Sequence, residues 1–416
     1  MPGPGSSTAI TRAEPRARCL DLTRLVSRAG RQMTGVDRVE RAYLAHLIAA
    51  QAPLFGLVRT ALGYLLLDEA GCAAFAARLD RGEIGRPTLF SRLARRGDPA
   101  RAGTESDLRR DAVARARPRG LGRMLARHLP PGTSYVNVGH TNLTPSTFRG
   151  LRAVPGLSIA VMIHDTIPLD LPEMQRAGSV ARFHALFDRV MAEADLVIAN
   201  SQATAADIAR HCPAPPEIAV AHLGVAPPAA TTPADAPRGH WTDAPYFVAL
   251  GTIEPRKNHA FLLDLWARLV AELGAEAPHL LILGARGWNN ADVFARLDAR
   301  PPHVHELAGL DDAAVTALLR GSRGLLFPSL AEGFGLPPVE ALQLGVPVLC
   351  NPLPVLREVL GDQAIYADSR DGYPWEQTVI RLARETPAPR DGNMGQSAAF
   401  EPPDWQCHFK GLLSRI

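Results

Sequence analysis

Lysine is almost missing from this chain. Of its 416 residues 45 are basic, yet only Lys257 and Lys410 are lysines. Aromatic residues make up 6%, and the net charge is only +3. Few rings to stack on bases and little excess charge argue against a nucleic-acid binder. The five cysteines are scattered, odd in number and without a Cys-x-x-Cys pair. That excludes a disulfide framework or a zinc site and fits reduced cytosolic thiols. Long apolar runs are lacking as well. The most apolar stretch, 44–79, is broken by His46, Gln51, Arg59, Asp68 and Glu69. It falls short of the roughly 18 apolar residues that a membrane span needs. The N-terminus shows no apolar core of a secretory signal. A Gly-x-Gly-x-x-Gly turn after a first strand is absent, which weighs against an NAD-dependent oxidoreductase.

What is present is a soluble composition, 46% hydrophobic and 21% charged, in a chain long enough for two cores. Short apolar, β-branched runs at 135–138, 158–163, 196–199 and 218–221 alternate with helical patterns at 180–194 and 204–211. After a Pro/Ala/Thr-rich stretch without periodicity at 226–245, alternation restarts. Strands are expected at 246–250, 280–283, 304–307, 324–327 and 346–350. Helices are expected at 259–273, 291–297, 313–320 and 338–344, and a terminal helix at 405–416. Runs without strict in–out alternation suit parallel strands buried on both faces. The expected fold is α/β, with two doubly wound parallel-sheet domains facing a cleft. We place an N-terminal, acceptor-binding domain at 1–228, a linker at 229–244, and a nucleotide-sugar-binding domain at 245–385. Residues 386–416 form a C-terminal segment that is a candidate to pack back on the N-terminal domain. Between Arg78 and Arg127 lie 14 arginines and six acids, an Arg-rich insertion of +8.

The chemistry concentrates at strand ends. Strand 324–327 runs into Glu332-Gly333-Phe334-Gly335-Leu336, and a helix opens on Pro337 and Pro338. Glycines let backbone approach a ligand, and a helix start offers free N–H groups and a positive dipole end, which together make a seat for phosphate. Glu332 and Glu340 flank that seat. A carboxylate beside an anion seat needs hydroxyl donors, which sugars supply. After strand 246–250 comes Gly251-Thr252-Ile253-Glu254-Pro255-Arg256-Lys257-Asn258-His259, which presents one of the two lysines beside an arginine. After strand 158–163 come His164 and Asp165, and Asn137-Val138-Gly139-His140 is a parallel case. Thr34-Gly35-Val36-Asp37-Arg38 reads as a loop entering a helix, with Thr34 as its cap. Asn200-Ser201-Gln202-Ala203-Thr204 reads as a second capped helix start.

Two glutamates with seven residues between them, the internal Gly-Phe-Gly, the Pro-Pro before the second Glu and the Gly-Val-Pro-Val after it resemble one family's signature. It is the large family of retaining GT-B glycosyltransferases known as glycosyltransferase family 4, or glycosyl transferases group 1. The chain looks most like bacterial mannosyltransferases of surface polysaccharide and lipopolysaccharide synthesis. The resemblance implies a retaining, metal-independent hexosyltransferase, and the absence of an Asp-x-Asp motif agrees. No cofactor is then expected, the nucleoside diphosphate sugar being the donor substrate. The first guess for the sugar is mannose, moved to a hydroxyl of a glycan or lipid-linked acceptor.

By the same resemblance, His164, Glu332, Lys257 and Arg256 are the catalytic set. Gly35, Arg256, Lys257, Gly333, Phe334, Gly335, Leu336 and Glu340 bind the donor, and there is no metal ligand. Glu332 would orient the sugar and Glu340 would hold the ribose. The alternatives are a non-catalytic sugar-nucleotide-binding protein and, behind it, the oxidoreductase. The expected location is cytoplasmic. An anionic membrane surface is a candidate partner on the inner face of the plasma membrane, because Leu89-Phe90-x-x-Leu93 and Leu121-x-x-Met124-Leu125 sit among arginines as short amphipathic clusters. No nucleic-acid partner is expected.

Overall fold

The computed structural model describes residues 15–88, 91, 97–228, 231–385 and 400–416. Its strands are β1 (Ala17–Asp21), β2 (Leu54–Thr60), β3 (Gly63–Leu67), β4 (Ala114–Ala116), β5 (Thr133–Asn137), β6 (Ser158–Ile163), β7 (Leu196–Ala199) and β8 (Glu217–Val220). There follow β9 (Tyr246–Leu250), β10 (His279–Leu283), β11 (Val304–Leu307), β12 (Gly324–Phe327), β13 (Val348–Cys350) and β14 (Ile365–Tyr366). One sheet runs β4-β3-β2-β1-β5-β6-β7-β8 and the other β11-β10-β9-β12-β13-β14. This is the GT-B architecture of two α/β units. In the first sheet the order reverses between β1 and β5, and in the second between β9 and β12. Parallel sheets of this kind bind ligands beyond the carboxyl ends of the strands at such reversals. The loops after β9 and β12 carry Lys257 and Glu332, the loop after β5 carries His140, and the short helix Thr23–Ser27 after β1 carries Arg24.

Every residue of β1, β3, β5, β7 and β12 is inside; β3, β7 and β12 are apolar throughout, whereas β1 and β5 also bury polar side chains. In the second unit Trp266 and Trp375 fill the core around Phe247, and each satisfies its indole N–H on a carbonyl, Pro278 O at 2.8 Å and Ala367 O at 3.0 Å. The helix Trp405–Leu412 lies on the first unit. Phe409 meets Tyr43 edge-on at 4.8 Å, and the Arg18 guanidinium donates to the carbonyls of Leu413 and Ile416.

Three expectations need correction. The first sheet is not wholly parallel. Only residues 61 and 62 separate β2 from β3, too short for a crossover, so they pair antiparallel, and β4 adds antiparallel to β3. Residues 231–245 do not hang free as linker composition suggests. Trp241 is buried against His305 at 4.7 Å, and the Thr231 hydroxyl accepts from Arg320 at 2.9 Å. Within the Arg-rich stretch, the 121–125 cluster is not a surface amphipath. Leu121, Met124 and Leu125, on the helix Leu121–His128, are core residues packed with Phe148 and Leu151. The helix Pro99–Asp111 buries its middle from Ala102 to Leu108, and Arg78, Arg101 and Arg110 pair with Asp111, Glu105 and Asp107. The other cluster, at Leu89, Phe90 and Leu93, lies outside the described residues. Among the described residues no helix is long and apolar enough to cross a membrane.

Candidate active site

Lys257 and Arg256 lie on a single turn, Pro255–Lys257, between β9 and the helix His259–Leu273. Both reach the loop after β12 and converge on one oxygen. Lys257 Nζ is 2.6 Å from Glu332 Oε1, and Arg256 Nη1 is 2.9 Å from the same atom. Arg256 Nε also pairs with Glu254 at 2.6 Å, and its Nη1 donates to Ala331 O at 3.0 Å. The Lys257 ammonium sits 4.4 Å from the centre of the Phe327 ring, a cation–π contact at the end of β12.

Lys257 and the Glu332 and Glu254 side chains are buried and Arg256 is half-buried, and their electrostatics follow. Burial alone would raise the Glu332 carboxyl, but the Arg256 guanidinium and then the Lys257 ammonium outweigh it and hold it at about 2. Burial lowers Lys257 from the ordinary ammonium range, opposed by Glu332. Glu332 is therefore an anion at neutral pH with one oxygen taken by cations.

The loop after β12 is pressed against the first unit. A Cβ on Gly333 would lie 2.3 Å from the carbonyl oxygen of His164, so only glycine fits there. The Gly333 carbonyl accepts from the Thr204 hydroxyl at 3.2 Å. Ser201 caps the helix Gln202–His211 on Thr204 N at 2.9 Å, as its sequence position suggested, and Asn200 Nδ2 donates to His164 O at 2.9 Å. Gly335 has φ +90 and turns the chain into the helix Leu336–Gln343. Pro337 and Pro338 have no N–H, so the anion seat is narrowed to the amides up to Leu336. The Phe334 side chain is core, 6.0 Å from His222, which leaves only its backbone for a ligand.

His164 and His140 are pinned reciprocally between neighbouring strand ends. His164 Nε2 bonds Val138 O at 2.7 Å and His140 Nε2 bonds Met162 O at 2.8 Å, with the rings 5.0 Å apart. A carbonyl only accepts, so each Nε2 carries the proton and Nδ1 is left as a lone pair. Burial keeps both rings neutral, lowering His140 to about 4 and, with His140 beside it, His164 to about 3. Asp165 lies between Arg256 and the Gly333 loop, and burial raises its carboxyl despite Arg256.

Glu340 is not free. Its Oε1 takes Arg38 Nη1 at 2.8 Å, from the first turn of the helix Gly35–Ala49 on the opposite unit. Gly35 abuts Leu336, a Cβ there reaching within 3.2 Å of its side chain. The structure thus brings Gly35, His164, Arg256, Lys257 and the 332–336 loop to one seam, with Glu340 on the next turn. Arg38, Phe327, Asp165 and Thr204 also belong to the seam. Sequence reasoning assigned them no ligand role, since none stands in a motif that names a partner in the other unit. Among the described residues no group of three His, Cys, Asp or Glu side chains is placed to hold a metal ion. A cavity of about 180 Å³ beside Asp37, lined by Leu25, Phe75, Leu79 and Ile84, lies within the first unit and is separate from this seam.

Two family models match, "Glycosyltransferase Family 4" over residues 86–227 and "Glycosyl transferases group 1" over residues 233–384. The chain belongs to this GT-B glycosyltransferase family. Among similar proteins, the Escherichia coli serotype-specific mannosyltransferase WbdA is 31% identical over 271 residues, which cover 59% of this chain and 33% of that one. The E. coli O-antigen chain mannosyltransferase B is 38% identical over 129 residues, 30% of this chain and 33% of that one. The chain spans about a third of the length of these curated relatives. The Anabaena protein HepE, solved with UDP and glucose, superposes with a TM-score of 0.56 over 89% of this chain and 90% of its own at 13% identity, a likeness of fold.

Proposed function

We propose that this glycosyltransferase moves a hexose, mannose as first choice, from a nucleoside diphosphate sugar to a hydroxyl of a glycan or lipid-linked acceptor. The anomeric configuration is retained and no metal takes part. The observation that carries this reading is the convergence of Arg256 and Lys257 on Glu332 at the mouth of the 333–336 anion seat, facing His164. The mannosyltransferase relatives support the choice of sugar.

The second unit holds the donor and the first the acceptor. An ammonium has three donors, so Lys257 keeps Glu332 and still reaches a phosphate oxygen. As the anomeric C–O bond breaks, its electron pair passes to the leaving diphosphate. Arg256, Lys257 and the loop amides stabilise that charge. The sugar becomes oxocarbenium-like beside the Glu332 anion, whose second oxygen accepts from its hydroxyls. His164 Nδ1 offers a further acceptor to the sugar. The acceptor hydroxyl attacks from the face the diphosphate leaves and gives its proton to a phosphate oxygen. The test is purified protein with GDP-mannose and UDP-glucose. Donor hydrolysis or transfer, insensitive to chelator and giving an α product by NMR, is expected. An inverted product refutes retention, and nucleotide binding without turnover favours the non-catalytic binder.

A further inference from the structure

Arg38 makes two bonds of equal length across the seam. Nη1 lies 2.8 Å from Glu340 Oε1, and Nη2 lies 2.8 Å from Asp312 Oδ1 at the start of the helix Asp312–Gly321. Two carboxylates from two helices of the second unit thus share one guanidinium from the first. The base of Arg38 is held firmly. Its neighbour Asp37 takes Arg24 and Arg28, each at 2.6 Å, and the Thr34 N–H at 2.7 Å. A second strut stands beside it, Gln32 Nε2 donating to Leu310 O at 2.8 Å.

We propose that Arg38 is a positioning residue of the nucleotide pocket: it reaches from the first unit, fixes Glu340 beside Asp312, and so presents that carboxylate to the ribose diol of the donor. This rests on the reading of Glu340 as the ribose ligand. To accept from two hydroxyls Glu340 has to be ionised. Burial raises its carboxyl, and the negative Asp312 pushes the same way. Arg38 is the charge that opposes them. Arg38 occupies Oε1 alone, so Oε2 and the remaining lone pair of Oε1 stay available to hydroxyls. The arrangement also makes the ribose pocket a joint product of both units, because the second unit's carboxylate is oriented only when the first unit is closed on it.

The test is calorimetry of GDP and UDP binding between pH 5.5 and 8 for the intact chain, Arg38→Ala and Arg38→Lys, with inorganic pyrophosphate as a probe of the phosphate seat alone. In Arg38→Ala the loss of nucleotide affinity on going from pH 8 to pH 5.5 should exceed that of the unaltered chain by about three- to tenfold, because Glu340 takes up a proton more readily. Arg38→Lys restores part of the difference, and pyrophosphate binding is unchanged in both. An Arg38→Ala variant with the unaltered affinity and pH profile overturns the proposal. So does equal loss of nucleotide and pyrophosphate, which would place Arg38 on the phosphates or in the fold. If the unaltered chain binds pyrophosphate but neither nucleotide, the ribose reading of Glu340 fails and takes this inference with it.

Discussion

Two lysines in one chain make a controlled comparison at the scale of the residue. Lys257 is buried on Glu332 and Phe327, whereas Lys410 has an exposed side chain on the terminal helix. Lys257→Ala should lower kcat/KM by roughly 10²-fold, because a leaving-group contact strengthens in the transition state. Lys410→Ala should leave it unchanged, and equal activities in a transfer assay would remove Lys257 from the mechanism. The glutamates separate in the same way. Glu332→Gln keeps the size but loses the charge that Arg256 and Lys257 neutralise, so turnover should fall while GDP or UDP binding survives. Glu340→Gln should weaken nucleotide binding first. Calorimetry with the free nucleotide reads both variants, and the reverse pattern would exchange their roles.

At the scale of the element, the decisive contact is the loop after β12 against the loop after β6. Gly333→Ala would drive a methyl into the His164 carbonyl at 2.3 Å, where backbone on both sides cannot yield. We expect the seam to spread and kcat/KM to fall by about 10²-fold or more, while each unit keeps its helix content by circular dichroism. An active Gly333→Ala enzyme would show that the two loops separate during turnover. The helix Leu121–His128 gives a stability test. Leu125 is fully buried with Phe148 and Leu151, so Leu125→Ala should cost about 2–5 kcal/mol in urea unfolding. A lipid-facing leucine would cost almost nothing in the absence of membranes, so a negligible change would restore the surface role that composition suggested.

For the whole molecule, acid stability depends on histidines buried in the neutral form. His408 joins the two ends of the chain: Nδ1 donates to His222 O at 2.8 Å, and Nε2 accepts from Tyr43 Oη at 2.8 Å. Burial lowers it to about 4. The unfolded chain takes up its proton near 6.5, so it binds more protons than the folded one between those values. His408 therefore stabilises fully above pH 6.5, and its contribution shrinks as pH falls toward 4. The stability gap between the unaltered chain and His408→Asn should narrow by about 2 kcal/mol between pH 7.5 and pH 5. A gap constant with pH would mean that His408 takes up its proton in the fold as readily as in the unfolded chain.

The limits of sequence reading follow from where each partner lies. Strands β6, β7, β9 and β12 were legible to the residue, because a run of apolar side chains buried on both faces needs nothing from elsewhere in the chain. The same holds for the 332–340 segment, whose glycines and prolines prescribe a strand–loop–helix turn locally. β1 was illegible: it contains Arg18 and Asp21, which burial forbids unless they are matched. Their matches are the carbonyls of Leu413 and Ile416, some 400 residues away, and the side chains of Tyr135 and Asn142. The β2–β3 hairpin has an Ala-Leu turn with none of the usual Asn-Gly signals, so its pairing is decided by the sheet it joins. Sequence alone determined which strand ends carry the glycine-rich, basic and acidic loops. Only the tertiary structure decided that Glu332 is already neutralised by Lys257 and Arg256, and that Glu340 is held by Arg38. An ion pair between segments far apart in the sequence has no local period or spacing to announce it.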